Sequence, residues 1–310
     1  MILIYSHDAC MDHDPGPSHP ENPGRLHSII DALQHPSVKP LMRWETAPRG
    51  TNAQVLLVHS QDHLDVVLEL QAQVEPNTRR SLDPDTILSE DTLEATLRGV
   101  GAACAGVDEL LAGRAPEVFC LVRPPGHHAT PERSMGFCVF NPIAIAALYA
   151  QQAGLTRVAV VDFDVHHGNG TQDCLQGRKG MLFISTHQSP HYPGTGSASE
   201  NIPGNILNLP LRAGTTDAEY RACFTKEVLP ALDAFKPELL LVSAGFDAHR
   251  DDPLGGLLLD DSTFAWLGQT LRAVAEKHCG GRLLSVLEGG YNLSVLGRSV
   301  AAYLLATAKA

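Results

Sequence analysis

The chain has 310 residues, of which 44% are hydrophobic and 19% are charged, proportions typical of a globular protein with a buried core. Its formal net charge of −12 argues against binding to duplex nucleic acid, which needs clustered Lys and Arg. The seven cysteines are an odd number without a CxxC pair, which argues against a disulfide framework and indicates reduced thiols.

The first predicted element is a strand in residues 1–5, an apolar stretch too short for a signal peptide. No apolar run is long enough to span a membrane, so we expect a cytoplasmic protein without a membrane partner. Helices are predicted for residues 91–113, 141–154, 217–235, 261–278 and 292–308. The first of them is predicted to begin with a capping box of Asp91 and Glu94, and the second with Asn141 as its N-cap.

From residue 116 onward, the predicted helices alternate with short apolar runs that carry few charges. The runs are residues 118–122, 158–161, 182–185, 239–243 and 283–287. Such runs, bounded by turn residues, are typical of parallel strands that are covered on both faces. The alternation predicts a doubly wound parallel sheet, and the lack of a linker-like segment predicts one α/β domain spanning residues 1–310.

Each of these apolar runs is followed by a cluster of polar residues and glycines. The clusters are residues 123–128, 162–167, 186–187, 244–247 and 288–291. In open α/β sheets the ligand crevice lies beyond the carboxyl ends of the strands. Five strands are therefore expected to bring polar groups to one place, where the sequence predicts the functional site.

The clusters contain a possible metal site. Asp164 and His166 are two residues apart, so on an extended chain their side chains point the same way. Asp247, at the end of another strand, would complete three ligands and leave the open position that catalytic zinc keeps. Two carboxylates and one imidazole form a relatively hard set, for which Fe²⁺ or Co²⁺ would compete. The alternative is that Asp164 and His166 only form hydrogen bonds at a strand end.

Proton-transfer groups are predicted beside this metal site. His127 and His128 follow a stiff Pro-Pro-Gly turn, and Asp162 is expected to pair with one of the two imidazoles. Tyr291 follows two glycines that allow a sharp turn, which would direct its phenol toward a carbonyl oxygen. In isolation, the favoured interpretation of each residue would be structural. Together they indicate metal-assisted hydrolysis of an uncharged acyl group.

Seven motifs resemble those of one family and occur in its order. They are His19-Pro-Glu-Asn-Pro-Gly-Arg25, Arg123-Pro-Pro-Gly-His-His-Ala129, Gly136-Phe-Cys138, Asp162-Phe-Asp-Val-His-His-Gly-Asn-Gly170, Pro193-Gly-Thr-Gly196, Ser243-Ala-Gly-Phe-Asp247 and Glu288-Gly-Gly-Tyr291. The chain resembles the zinc-dependent histone deacetylase superfamily, especially its class II and bacterial members. The resemblance implies the arginase/deacetylase α/β fold, with a parallel eight-stranded sheet and helices on both faces.

The resemblance also implies the roles of individual residues. Zinc would be bound by Asp164, His166 and Asp247. The implied catalytic residues are His128 as general base, His127 as its acid or electrostatic partner, Asp162 behind this pair, Asn169 behind His128, and Tyr291 at the amide carbonyl. Asn169 stands where class I enzymes have an aspartate, which points to the class II type.

Further positions follow from the same resemblance. The implied substrate tunnel is formed by Phe137, Tyr192, Leu254 and Gly289, with Arg25 beside an internal cavity for acetate. Tyr192 replaces a tunnel phenylalanine and adds a hydroxyl without an assigned role. A structural K⁺ is implied on Asp162, Asp164, His166 and the Ser185 hydroxyl.

Four functions are compatible with the sequence to different degrees. The leading one is deacetylation of acetyl-lysine or of small acetylated amines. The nearest alternative is an acetylpolyamine hydrolase, although Leu254 stands where the specialised polyamine enzyme carries a glutamate. A binuclear manganese ureohydrolase would need additional aspartates, and an inactive binding module would require loss of a ligand or of Tyr291.

Overall fold

Eight parallel strands form the central sheet of residues 1–309, the part of the chain that the computed structural model describes. The strands of the chain are β1 (Ile2–Ser6), β2 (Met42–Thr46), β3 (Arg80–Ser81), β4 (Ile87–Leu88), β5 (Glu117–Cys120), β6 (Val158–Asp162), β7 (Met181–Gln188), β8 (Ile206–Leu211), β9 (Leu239–Ala244) and β10 (Leu283–Leu287). The sheet order is β2-β1-β5-β10-β9-β6-β7-β8, and β3 and β4 form a separate antiparallel pair. The predicted eight-stranded parallel sheet is confirmed.

Helices cover both faces of this sheet. They are α1 (Ala9–Asp12), α2 (Gly24–Leu33), α3 (Asn52–Val55), α4 (Gln61–Gln71), α5 (Thr92–Leu111), α6 (Pro142–Gln152), α7 (Asn169–Leu175), α8 (Asp217–Cys223), α9 (Leu229–Phe235), α10 (Asp261–His278) and α11 (Leu293–Lys309). Helix α5 packs on α6, α11 packs on both α2 and α10, and both groups contact β9 and β10. Every residue of β6, β9 and β10 is buried. Because successive strand residues point to opposite faces, both faces must be covered.

The order of the strands explains where the polar clusters meet. Strands β5, β10, β9 and β6 are consecutive neighbours in the sheet, although they are distant in sequence. All of them are parallel, so their carboxyl ends lie along one edge. Four of the five polar clusters therefore emerge side by side at the middle of the sheet.

One central strand is longer than predicted, and some strands were not predicted. Strand β7 continues to Gln188, so Thr186 and His187 lie within the strand and not after it. The predicted end of the apolar run at residue 185 was too early, because all eight strand residues are buried although several are polar. Strands β2 and β8 were not predicted. Both are edge strands with partly exposed residues, so neither has the continuous apolar run of a central strand.

One capping box was predicted at the wrong helix. The Asp91 side chain accepts no backbone hydrogen bond, and Glu94 instead pairs with Arg49 and Arg98. A complete capping box occurs at the start of α8, between Thr216 and Glu219.

The predicted helix 217–235 is interrupted. It contains a π-helical segment at Phe224–Val228 just before Pro230, whose ring nitrogen cannot donate to the regular helical ladder.

Two expectations from composition concern cysteines and membranes. All seven cysteines are free thiols, and six of them are buried, in agreement with the expected reduced state. Within residues 1–309, no helix combines the length and the apolar character needed to cross a lipid bilayer.

Candidate active site

Three side chains from two loops form a buried cluster at the carboxyl edge of the sheet. Asp164 and His166 follow β6, and Asp247 follows the adjacent strand β9. Each residue offers one ligand-type atom, and these three atoms lie within 4.8 Å of one another. All three residues are buried. The structure thus brings together the three metal ligands predicted from the sequence.

Backbone groups orient both carboxylates of this cluster. Asp164 Oδ2 accepts a hydrogen bond from the Gly289 N–H at 2.8 Å, and Asp247 Oδ1 accepts one from the Val165 N–H at 2.8 Å. The other two oxygens, Asp164 Oδ1 and Asp247 Oδ2, lie 3.0 and 3.1 Å from His166 Nδ1. One oxygen from each carboxylate and one imidazole nitrogen are therefore directed to a common point.

The electrostatics of the cluster favour a cation at that point. Burial and the neighbouring Asp164 raise the pKa of Asp247 to about 7. Burial opposes a charge on His166, yet the hydrogen bonds that its ring donates to the carboxylates of Asp164 and Asp247 raise its pKa to about 10. Two carboxylate oxygens and one nitrogen, all buried, fit a divalent metal ion.

Two glycines pack directly against the carboxylates. An ideal Cβ at Gly289 would lie 2.1 Å from Asp247 Oδ2, and one at Gly245 would lie 2.0 Å from Asp164 Oδ2. Any side chain at either position would therefore displace a carboxylate. The structure places Gly289 against the carboxylates, where only a residue without a Cβ fits. Its place in the substrate tunnel stays a prediction.

Two adjacent imidazoles lie beside the cluster, each with its own polar partner. His127 Nδ1 is 2.9 Å from Asp162 Oδ2, and His128 Nδ1 is 2.8 Å from Asn169 Oδ1. Burial opposes a charge on His127, yet the carboxylates of Asp162 and Asp164 raise its pKa well above the usual value. Burial, with His127 nearby, lowers the pKa of His128 well below the usual value. The pair thus combines a charged ring with a neutral one.

A tunnel with a volume of about 230 Å³ leads to these groups. Phe137, Tyr192 and Leu254 line its wall, as predicted from the sequence, and His128 and His166 lie at its base. The Tyr192 ring packs edge-to-face on His128, with 5.1 Å between the ring centroids. Its lining is largely apolar and partly aromatic, which suits the stem of an extended chain.

Tyr291 also lines the tunnel, where its ring packs edge-to-face on Phe137 with 5.9 Å between the ring centroids. Burial raises the pKa of the Tyr291 phenol well above its usual value, so the hydroxyl keeps its proton and stays a donor. Its backbone N–H donates to Asp252 Oδ2 at 2.7 Å. The buried guanidinium of Arg25 lies 5.0 Å from the Tyr291 ring centroid and donates to the Gly290 carbonyl at 2.6 Å. The acetate cavity expected beside Arg25 stays a prediction.

Residues 19–307 match the histone deacetylase domain, which is nearly the whole chain. The chain belongs to the histone deacetylase family. It is 40% identical to the chloroplastic histone deacetylase 10 of Oryza sativa, over 96% of this chain and 71% of that protein. It is 38% identical to the histone deacetylase-like amidohydrolase of Pseudomonas aeruginosa, over 88% of this chain and 72% of that protein.

A solved structure of the same family has the same fold. The crystal structure of the HDA15 HD domain superposes with a TM-score of 0.93 at 34% identity, covering 99% of this chain and 88% of that one. This deacetylase-family protein is accordingly a hydrolytic enzyme with the arginase/deacetylase fold, as its motifs predicted.

Two tunnel residues of this deacetylase-family protein were missed by sequence reasoning. Asp85 lines the tunnel from the loop between β3 and β4, and its Oδ1 accepts the Gly136 N–H at 3.0 Å. The His191 ring stacks on His166, with 4.8 Å between centroids and 16° between planes. Its Nε2–H donates to the Leu254 carbonyl at 2.8 Å. His191 could have been found, because it directly precedes Tyr192, whereas Asp85 has no motif beside it.

Glu288 is a third residue that was left without a role. Its Oε2 accepts the backbone N–H groups of Gly126 and His127 at 2.7 and 3.1 Å, and Ser243 donates to its Oε1. Burial raises the pKa of Glu288 to about 7. The carboxyl group thus holds the turn that presents both histidines.

Proposed function

We propose that the protein is a metal-dependent deacetylase of acetyl-lysine side chains or of small apolar N-acyl amines, with residues 1–310 forming one catalytic domain. The observation that carries the proposal is the buried cluster of Asp164, His166 and Asp247, because His166 also lines the tunnel. His128 lines the same tunnel, and His127 packs against it with 4.0 Å between the ring centroids. The tunnel admits a linear acylated chain, and the cluster lies where its acyl group would end.

Asp164, His166 and Asp247 would hold one Zn²⁺, with Fe²⁺ or Co²⁺ as alternatives. A cation bound there would act as a Lewis acid on the amide carbonyl and lower the pKa of a water molecule. The tunnel wall of Phe137 and Tyr192 would exclude other water and align the acyl chain.

His128 is the proposed general base, since its ring is neutral and its Nδ1 is engaged by Asn169 at 2.8 Å. Its other nitrogen, Nε2, is then the atom that takes a proton from water. The charged ring of His127, held by Asp162 at 2.9 Å, would stabilise negative charge and supply a proton to the leaving amine. Tyr291 would donate its hydroxyl hydrogen to the carbonyl oxygen as charge develops there.

A structural K⁺ is part of the proposal, and the hydrogen bonds of Ser185 support it. His187 Nε2 donates to the Gly196 carbonyl at 2.9 Å, so its Nδ1 is an acceptor. The Ser185 hydroxyl therefore donates to His187 Nδ1 at 2.9 Å, which leaves the oxygen lone pairs free for a cation. The proposed ligands are Asp162, Asp164, His166 and Ser185.

Acetylpolyamine hydrolysis is the second candidate, and Asp85 is the observation that favours it. Its carboxylate lines the tunnel together with Leu254 and would attract the distal ammonium of a polyamine. A binuclear ureohydrolase is disfavoured, because residues 1–309 contain one cluster of metal-ligand type. An inactive binding module is disfavoured because the predicted ligands and Tyr291 are all present.

The proposed partners are acetylated lysine or a small acetylated amine, with neither nucleic acid nor a membrane. The net charge of −12 supports the exclusion of nucleic acid. A cytoplasmic location is also proposed, and cell fractionation tests it. Size-exclusion chromatography with light scattering determines the oligomeric state.

The proposal is tested with purified zinc-loaded protein and a panel of acyl amides. The panel contains acetyl-lysine peptides, longer acyl-lysines, acetylputrescine and acetylspermidine, each measured as kcat/KM. We expect acetyl-lysine peptides to be preferred, His128→Ala to abolish turnover, and the protein to hold about one transition-metal ion per chain. A preference for acetylpolyamines would favour the second candidate. Two manganese ions per chain, with turnover of a guanidine, would contradict the deacetylase proposal.

A further inference from the structure

The side-chain amide of Asn169 lies between two residues, His128 and Met135. Its Oδ1 is 2.8 Å from His128 Nδ1. Its Nδ2 is 3.4 Å from Met135 Sδ and 3.4 Å from the His128 carbonyl oxygen. Asn169 is only 7% exposed, so bulk water contributes little to satisfying the amide. These three contacts therefore determine which way the amide points.

Both groups that face Nδ2 are acceptors that carry no proton to donate. A carbonyl oxygen and a thioether sulfur each offer only lone pairs. A flipped amide would place Asn169 Oδ1 against these lone pairs and leave both acceptors without a donor. The observed orientation is thus favoured, and Oδ1 faces the His128 ring.

The amide orientation in turn determines the tautomer of His128. Oδ1 is an acceptor only, so the ring proton must be on Nδ1. Nε2 then carries the lone pair that a general base needs. With a flipped amide, an N–H would face Nδ1, the ring proton would move to Nε2, and the base would be blocked.

We propose that Met135 is a positioning residue, whose sulfur holds the Asn169 amide in the orientation that keeps His128 in the Nδ1–H tautomer. The inference rests on the proposed function, in which His128 is the general base. Met135 touches neither the tunnel space nor the metal-type cluster in this scheme, and it acts only through Asn169.

Met135 also begins the turn that forms part of the tunnel wall. It pairs with Cys138 through two backbone hydrogen bonds of 3.1 and 3.0 Å. Gly136 and Phe137, between them, both have positive φ, +57° and +69°. A change of side chain at Met135 can therefore act through the wall as well as through Asn169, and the test must separate the two routes.

Two substitutions of similar size provide the test. Met135→Leu keeps an apolar side chain but removes the acceptor, whereas Met135→Gln provides a carbonyl acceptor on a side chain of nearly the same length. ¹⁵N-labelled histidine reports directly which ring nitrogen of His128 carries the proton, with the signal assigned from a His128→Ala sample. We expect Met135→Leu to populate the Nε2–H tautomer and Met135→Gln to restore the Nδ1–H tautomer. An unchanged tautomer in Met135→Leu would overturn the proposal.

Kinetics provide a second readout in the same zinc-loaded proteins. We expect Met135→Leu to lower kcat about three- to ten-fold, the range of one net hydrogen bond, with KM unchanged. Met135→Gln should recover most of the loss. A rise in KM with unchanged kcat would assign the effect to the tunnel wall and overturn the proposal.

A double-mutant cycle with Asn169→Asp separates the routes further. A carboxylate accepts from His128 Nδ1–H in either orientation, so it no longer needs Met135. In the Asn169→Asp background, Met135→Leu should change kcat by less than about two-fold. An equal loss in both backgrounds would overturn the positioning role. If His128→Ala keeps full activity, the proposed function itself fails, whereas a silent Met135→Leu beside an inactive His128→Ala contradicts only this inference.

Discussion

The hydroxyl of Tyr291 has no hydrogen-bond partner within residues 1–309, although burial keeps it protonated. A donor held unpaired in the tunnel is available for the carbonyl oxygen of a substrate, where negative charge grows during the reaction. This side chain is therefore the sharpest test of the proposed chemistry at the scale of a single residue.

Tyr291→Phe is expected to retain the fold and the metal but to lose transition-state stabilisation. Removal of one oxyanion donor costs about 10²–10³ in kcat. KM should change far less, because the carbonyl oxygen of the bound substrate is a weaker acceptor than the transition state. Steady-state kinetics on acetyl-lysine peptide, together with metal analysis, provide the measurement. A variant with near-normal kcat would show that Tyr291 has another role.

Leu254 lines the tunnel wall, so a charge introduced there would face the substrate. Leu254→Glu should shift the preference toward acetylpolyamines by about 1–3 kcal/mol in the ratio of kcat/KM values, because a carboxylate pairs with the distal ammonium. Leu254→Gln is the matched control, with the same shape and no charge.

Asp85 competes with this effect, since its carboxylate lies in the same tunnel. Asp85→Asn should lower activity on acetylpolyamines if Asp85 already attracts the ammonium. The idea that Leu254 limits polyamine use fails if the unmodified enzyme prefers acetylpolyamines and Leu254→Glu changes nothing.

At the scale of secondary structure, strand β5 begins with an unusual residue. Glu117 is only 2% exposed, and its Oε1 has no hydrogen-bond partner within residues 1–309. It lies with Arg272 beside a cavity of about 130 Å³ at the amino end of the strand. Burial raises the pKa of Glu117 from 4.5 to about 7. The strand therefore carries a carboxyl group that is stable mainly in its neutral form.

This shift predicts a pH dependence of stability with a definite sign. Because the folded-state pKa is raised, the stabilising contribution of Glu117 is complete below the unfolded-state pKa of 4.5 and is lost as pH rises to about 7. The loss amounts to about 3 kcal/mol for a shift of this size.

Glu117→Gln should remove that loss. Relative to the unmodified protein, its free energy of unfolding should rise between about pH 5 and pH 8, measured by urea denaturation. If the difference in free energy of unfolding between the two proteins is the same at pH 5 and at pH 8, Glu117 is already ionised in the folded state at pH 5, and the prediction is wrong.

At the scale of the whole molecule, the cluster of Asp164, His166 and Asp247 brings together loops that follow neighbouring strands in the middle of the sheet. Asp164 and His166 follow β6, Asp247 follows β9, and the Gly289 N–H that binds Asp164 follows β10. A cation bound at this point would connect three neighbouring strand ends and relieve the repulsion between buried carboxylates. A ligand that binds only the folded state stabilises it by about 2.7 kcal/mol at a free concentration of 100 Kd.

Removal of the metal should therefore lower Tm, and added zinc should restore it. Asp247→Ala is expected to lose activity, metal binding and the zinc-dependent shift in Tm together. Calorimetry of chelated and zinc-loaded samples provides the measurement. An equal shift in Asp247→Ala would place the stabilising zinc at another site.

Much of the fold and the chemical core could be predicted from the sequence because both depend on local patterns. Continuous apolar runs predicted the central parallel strands, and their burial on both faces requires such runs. The i, i+2 spacing of Asp164 and His166 at a strand end likewise gives them one direction. Edge strands β2 and β8 escaped prediction because half-exposed strands lack continuous runs. The capping box at Asp91 was wrong because Glu94 pairs with two arginines from other positions.

Only the tertiary structure showed which residues support the site from distant parts of the chain. Asp85 reaches the tunnel from 51 positions before Gly136, and Met135 meets Asn169 across 34 positions. His191 binds the Leu254 carbonyl across 63 positions. Such contacts have no period and no fixed spacing, because they depend on which loops the strand order places side by side. The residues of the chemistry could thus be read from the sequence, whereas their supports required the packed sheet.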